Sequence, residues 1–149
     1  MSEPLTACVI GASGRMGREH VAAYEACGII VSDDLTPNIV SIATPDWFHA
    51  HQARRAFQQD SHVFCEKPLY TTKVDGMIVR QAMCDRHVGQ NFPLRHQPIF
   101  KELKYHDFGE IYRIEASYNW GRTHKLFEGW RAKDPNYSLV MGGLIHMVD

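Results

Sequence analysis

Over the first ninety positions, apolar residues gather into short runs separated by stretches with helical spacing. Residues 7–10 form one such run, ending at the loop Gly11-Ala12-Ser13-Gly14-Arg15-Met16-Gly17. A helix over 15–27 is predicted next, with Gly28 placed to end it. Residues 38–44 (NIVSIAT) are β-branched and apolar on both alternations, which predicts a strand buried on both faces. Thr44 is then placed to cap a helix whose first position is Pro45, with Ala50, Ala53 and Phe57 as its inner stripe. His62–Cys65 is the next strand. Thr72 and Asp75 resemble a capping box for a helix to about Arg86, with Val74, Ile78 and Ala82 lining one face. Residues 88–92 close the series. Strands alternating with helices predict an α/β, Rossmann-like parallel sheet.

After Pro93 the pattern changes. Ile99, Phe100 and Leu103 predict a helix that stops near Gly109. Over 112–120, Tyr112, Ile114, Ala116, Tyr118 and Trp120 alternate with Arg113, Glu115, Ser117 and Asn119. Period two with one polar face predicts an antiparallel strand open to solvent on one side. The expected division is a Rossmann-like domain over 1–92 and the start of an α+β domain over 93–149. One strand makes no sheet, so its apolar face and open edge are expected to pair with another chain or to stay disordered.

Composition narrows the function. The chain has 149 residues, 44% hydrophobic and 22% charged, with 16 Lys+Arg against 17 Asp+Glu. That is a folded globular balance, and the lack of a basic cluster argues against a nucleic-acid surface. No apolar stretch approaches the roughly 18 residues of a membrane span, and residues 1–6 are too short and polar for a secretion signal. Cys8, Cys27, Cys65 and Cys84 include no C-x-x-C pair, so neither zinc ribbon nor disulfide scaffold is expected. Cys8 and Cys65 fall inside apolar strands and are expected to be buried, which together suits a reducing cytoplasm. His49 and His51 are spaced for different helix faces, and no metal site is expected.

The loop from Gly11 to Gly17 joins a strand to a helix, the context in which glycines let a backbone approach a pyrophosphate. Its spacing is G-x-x-G-x-x-G, with Ser13 where a middle glycine is usual. Asp33 and Asp34 follow Gly17 by 16 and 17 residues. They are placed either to bind the ribose hydroxyls of NAD or merely to lie solvated in the connection before residue 38. Arg15 and Arg18 are alternatively placed to meet a 2′-phosphate, which leaves NAD and NADP both open.

Thr44-Pro45-Asp46-Trp47-Phe48-His49, Ala56-Phe57 and His62-Val63-Phe64-Cys65-Glu66-Lys67-Pro68-Leu69 resemble the signature of the glucose–fructose oxidoreductase/inositol dehydrogenase (Gfo/Idh/MocA) family. Asn91 through Arg95, Gly109-Glu110-Ile111, Trp130-Arg131 and Gly142-Gly143-Leu144-Ile145-His146 follow in the family's order. The resemblance implies an NAD(P)-dependent oxidoreductase acting on a sugar, polyol or related hydroxy compound. It implies that Lys67 is the acid/base group and that His146 contacts the reacting hydroxyl. The implied cofactor-binding residues are Gly11, Ser13, Gly14, Arg15, Met16, Gly17, Asp33, Thr44, Pro45, His49, Glu66, Lys67 and Asn91. A homo-oligomer formed through the second domain is a further implication. A lysine at the carboxyl end of a parallel strand sits where α/β sheets bind ligands, and burial beside a cationic nicotinamide favours its neutral, basic form. Trp130 and Arg131 either border the substrate or are a core Trp with a surface Arg.

Two departures stand out. Many members carry Asp four residues before the histidine, where this chain has Gly142. Between Gly17 and residue 38 there is room for one helix only, so one strand–helix unit of the family is expected to be missing. Two other readings stay open: a dinucleotide-binding protein without turnover, and a dihydrodipicolinate-reductase-like enzyme, whose loop Gly11–Gly17 also resembles.

Overall fold

Five parallel strands make one sheet in the order β2-β1-β3-β4-β5: β1 (Thr6–Ile10), β2 (Ile30–Val31), β3 (Ile39–Ile42), β4 (His62–Cys65) and β5 (Val88–Gln90). The computed structural model describes residues 3–33 and 36–149. Asp34, one of the two acids considered for the ribose, therefore lies outside the described residues. The chain divides into two compact units, Met1–Asn91 and Phe92–Asp149.

In the first unit the helices are α1 (Arg15–Ala26), α2 (Asp46–Gln58) and α3 (Lys73–Met83). Alternate strand residues point to opposite faces. Val40, Ile42, Val63 and Cys65 pack in one cluster with Ala50, Ala53 and Phe57 of α2 and Val79 of α3. Ser41 and Phe64 point the other way, to His20 of α1. Helices thus cover both faces, and the central strands are buried as parallel strands must be. The stripe Ala50, Ala53, Phe57 is buried as the spacing predicted. Burying a residue such as Phe57 stabilises by about 1.5–3 kcal/mol.

Helix ends follow local chemistry. Gly28 (φ +72°) ends α1, with its N–H on the Glu25 carbonyl and that of Ile29 on the Tyr24 carbonyl, a Schellman-type stop. Thr72 caps α3 by accepting from the Asp75 N–H at 3.1 Å and donating to the Asp75 carboxylate at 2.6 Å. Thr44 does not cap α2. Pro45 holds that position, and the Thr44 hydroxyl donates to Gln52 Oε1 at 2.6 Å instead. Val74 is not on the inner face of α3; it is exposed, and Val79 with Ala82 and Met83 faces the core. Cys8 is half-buried rather than buried, on the face it shares with Ile10, while Ala7 and Val9 on the opposite face of β1 are buried.

The stretch expected to hold no strand contains β2, which pairs in parallel with β1 (Thr6↔Ile30, Ala7↔Val31). Two residues show no periodicity, so only the ladder reveals it. Among the described residues no helix joins β2 to β3.

In the second unit, α4 (Pro98–Tyr105) is followed by extended chain and short turns, then by a wide turn at Val140–Leu144 that runs into α5 (Ile145–Val148). The strand expected over 112–120 does not form. A strand needs a ladder partner, none lies beside this segment among the described residues, and Tyr112 and Ile114 are left exposed. No helix of the described residues is long and apolar enough to cross a membrane.

Candidate functional site: the carboxyl edge of the sheet

From β1 the chain crosses by α1 to β2 on one side, whereas β3 lies on the other side of β1. The carboxyl ends of β1 and β3 therefore flank a topological switch point, the place where open α/β sheets take ligands. Gly11 stands there with φ +89°, and a Cβ on it would lie 2.7 Å from the Ala43 carbonyl oxygen. The Gly14 N–H donates to the Gly11 carbonyl at 3.0 Å and closes the turn into α1. Gly17 is packed so closely that a Cβ would fall 2.6 Å from the Gly11 carbonyl carbon and 2.7 Å from Ala12 Cα.

Gly14 is the N-cap of α1, with no side-chain cap and no acidic residue in the first turn. The leading amides of α1 thus face no competing carboxylate, which suits an anion. Ser13 and Arg15 are exposed, Met16 is half-buried and Gly17 is buried. Arg18 donates to the Ser13 carbonyl at 2.5 Å, and Arg15 pairs with Glu19 at 3.7 Å. The backbone cradle that a Cβ would fill fits a dinucleotide's pyrophosphate. Asp33 is exposed just past β2 and, after burial, is the second cause raising the Cys8 thiol above its usual value. It lies at the carboxyl end of the strand beside β1.

Two buried histidines hold the neighbouring turn Glu66-Lys67-Pro68, whose Lys67–Pro68 peptide is cis. His49, fully buried, has Nδ1 2.6 Å from the Pro68 carbonyl and Nε2 2.8 Å from the Thr44 carbonyl. It ties the chain leaving β3 to the chain leaving β4. The Leu69 N–H donates to Gln90 Oε1 at 3.0 Å, tying that turn to β5.

On the other flank, Glu66 Oε1 lies 3.1 Å from His20 Nε2 and accepts from Asn91 Nδ2 at 2.7 Å. Burial alone would raise the Glu66 carboxyl. The hydrogen bonds of His20 and Asn91, with the charges of His20 and Lys67, outweigh burial and hold it below the ordinary value. Lys67 is half-buried, two residues beyond β4. Cys65 is fully buried; desolvation, then the Glu66 and Asp46 carboxylates, push its thiol far up. Among the described residues no group of three or more His, Cys, Asp or Glu is placed to hold a metal.

The structure thus gathers Gly11, Gly14, Gly17, Thr44, Pro45, His49, Glu66, Lys67 and Asn91 at or just beyond the carboxyl ends of β1, β3, β4 and β5. His20, Ser41, Gln52 and Gln90 were not anticipated. Gly17, His20 and Tyr24 recur at helical spacing, so a polar His on the buried face of α1 was the available signal.

His146 belongs to the second unit, within α5. Its ring lies 6.0 Å from those of Tyr118 and Phe92. Trp130 meets Tyr137 edge-on at 6.0 Å, and the Arg131 guanidinium stacks 4.2 Å over Trp130. The Tyr137 ring stands where a side chain at Gly142 would project, 2.6 Å from the Cβ position. Arg95 pairs with the Asp149 carboxylate through two hydrogen bonds.

A doubly covered parallel sheet with a glycine cradle at its switch point defines a Rossmann-type, dinucleotide-binding α/β protein. Residues 24–89 match the family model described as "Oxidoreductase family, NAD-binding Rossmann fold", of the Gfo/Idh/MocA proteins. Over those residues the chain is similar to this family. It is 33% identical over 112 residues to a levoglucosan dehydrogenase of Pseudarthrobacter phenanthrenivorans, covering 73% of this chain and 27% of the relative. It is 30% identical over 112 residues to 1-carboxy-3-chloro-3,4-dihydroxycyclo hexa-1,5-diene dehydrogenase of Comamonas testosteroni, covering 72% and 28%. The fold is also that of the WlbA dehydrogenase from Bordetella pertussis, solved with NADH and UDP-GlcNAcA: TM-score 0.56, 22% identity, 74% of this chain and 45% of that one. The chain spans little more than a quarter of the length of the curated relatives it matches.

Proposed function

We propose that this chain takes part in hydride transfer between a nicotinamide dinucleotide and a CH–OH group of a sugar, polyol or related hydroxy compound. The observation that supports this best is Lys67, half-buried at the carboxyl end of β4 beside an ionised, hydrogen-bonded Glu66. Gly11, Ser13, Gly14, Arg15, Met16 and Gly17 hold the pyrophosphate through backbone amides and Asp33 the adenosine ribose. Thr44, Pro45, His49, Glu66 and Asn91 form the nicotinamide side. The dinucleotide, when bound, supplies the hydride acceptor or donor. Lys67 Nζ takes the hydroxyl proton in oxidation and returns it in reduction, since a base must lie within hydrogen-bond reach of that oxygen. Residues 93–149 begin a substrate and oligomerisation domain in which His146 contacts the reacting hydroxyl. Four free cysteines fit a cytoplasmic setting.

A second reading, dinucleotide binding without turnover, is favoured by the segment 112–120, which forms no strand. Absorbance of the reduced nicotinamide, followed with NAD and NADP across a sugar and polyol panel, separates the two. Turnover that Lys67→Met lowers ~10²–10⁴-fold with NAD(P)H affinity retained supports catalysis. Binding with no turnover across the panel overturns it and leaves the second reading.

A further inference from the structure

His20 has no part in the glycine cradle or in the proton transfer at Lys67, yet it is buried in α1 and reaches the turn that carries Lys67. Its Nε2 faces Glu66 Oε1 at 3.1 Å and its Nδ1 faces Ser41 Oγ at 2.8 Å. An ionised carboxylate only accepts, whereas a serine hydroxyl both donates and accepts. Nε2 therefore carries the hydrogen toward Glu66, and Ser41 serves Nδ1 in either charge state. The Asn91 amide donates to the same oxygen, Oε1, at 2.7 Å. Both bonds fall on Oε1 and neither uses Oε2, and the Glu66 side chain remains 15% exposed. The Phe64 ring, 5.3 Å from the imidazole, closes the third side. Glu66 is thus gripped by one oxygen, from α1 and from the end of β5, and its second oxygen takes part in neither bond.

We infer that His20 is a positioning residue of the dinucleotide site, donating from Nε2 to fix Glu66 so that Oε2 accepts from a hydroxyl of the bound dinucleotide. The ligand half of this inference rests on the binding reading above; the His20–Glu66 half does not. The charged groups acting on Glu66 are His20 from α1 and Lys67 from its own turn. Ser41 on His20 and Asn91 on Glu66 add only neutral dipoles.

The test begins on the unaltered chain. Long-range ¹⁵N spectra of His20 at neutral pH are expected to show Nε2 protonated; a bare Nε2 with the proton on Nδ1 alone overturns the inference. The ¹³C carboxyl titration of Glu66 is expected to move to higher pH in His20→Leu and to return most of the way in His20→Gln, which keeps a donor. An unmoved titration also overturns it. NADH calorimetry against pH completes the set. His20→Leu is expected to weaken binding about tenfold, as loss of a hydrogen bond to a charged group does, and to move the acid limb to higher pH. Unchanged affinity and pH profile in a chain that binds NADH overturn the ligand half. An unaltered chain that binds no NADH refutes the binding reading instead, and the two spectroscopic outcomes still decide the role of His20.

Discussion

Replacing Gly17 with alanine places one methyl group against two backbone segments. Its Cβ would sit 2.6 Å from the Gly11 carbonyl carbon and 2.7 Å from Ala12 Cα, and closer still to the Gly11 oxygen. Carbon atoms rest about 3.5–4.0 Å apart, so loop and helix must separate by roughly 1 Å. No rotamer change relieves this, because the obstructing atoms are main chain. Alanine gains about 1 kcal/mol of helix propensity over glycine, while overpacking costs about 1–3 kcal/mol. Net stability thus moves little, by about 0–2 kcal/mol. Binding should move far more. The same separation draws the leading amides of α1 away from the pyrophosphate, and each hydrogen bond lost to a charged group costs about 1.5–3 kcal/mol. One such loss weakens NADH binding about 10- to 150-fold and two about 10²- to 10⁴-fold. Calorimetric titration with NADH, paired with thermal unfolding, separates the two effects. Gly28→Ala is the control: Gly28 has φ +72° with nothing within 4 Å of a Cβ, so it strains the chain far from the site and leaves affinity unchanged. Gly17→Ala with the affinity of the unaltered chain would refute the cradle.

Other outcomes follow from the buried groups. Because Glu66 titrates lower in the folded chain than in the unfolded one, it contributes stability above the unfolded value that is lost as pH falls through the folded value. Acid unfolding of Glu66→Gln should lack that component, and an acid limb identical to the unaltered chain's would count against it. Cys65, fully buried and with a raised thiol, should resist alkylation in the native chain while exposed Cys27 and Cys84 react. Mass-resolved peptide mapping decides this, and rapid labelling of Cys65 would show the core to be open.

The parts of the fold that repeat a pattern were legible. The β-branched run 38–44 and the stripe Ala50, Ala53, Phe57 announce a buried strand and the helix covering it, and Thr72 with Asp75 announces a cap. β2 was not legible, since two residues have no period and their pairing depends on β1. The strand expected over 112–120 failed for the complementary reason: alternation describes a face, but a strand also needs a partner. At the site, Gly11, Gly14 and Gly17 were legible because glycine spacing reflects backbone geometry directly. His20 was not, because its meaning lies in a contact with Glu66, 46 positions away. Thr44 was misjudged because Gln52 competes for the hydroxyl that was expected to cap α2.

We propose that a nicotinamide dinucleotide binds at the carboxyl edge of this sheet, between the glycine cradle and Lys67. Amide ¹H–¹⁵N spectra of the 149-residue chain, recorded during titration with NADH, test it most directly. Saturable shifts are expected at Gly14, Met16, Gly17 and Lys67, with His62 and His87 at the opposite edge unmoved. An unchanged spectrum, or shifts confined to His62 and His87, would contradict it.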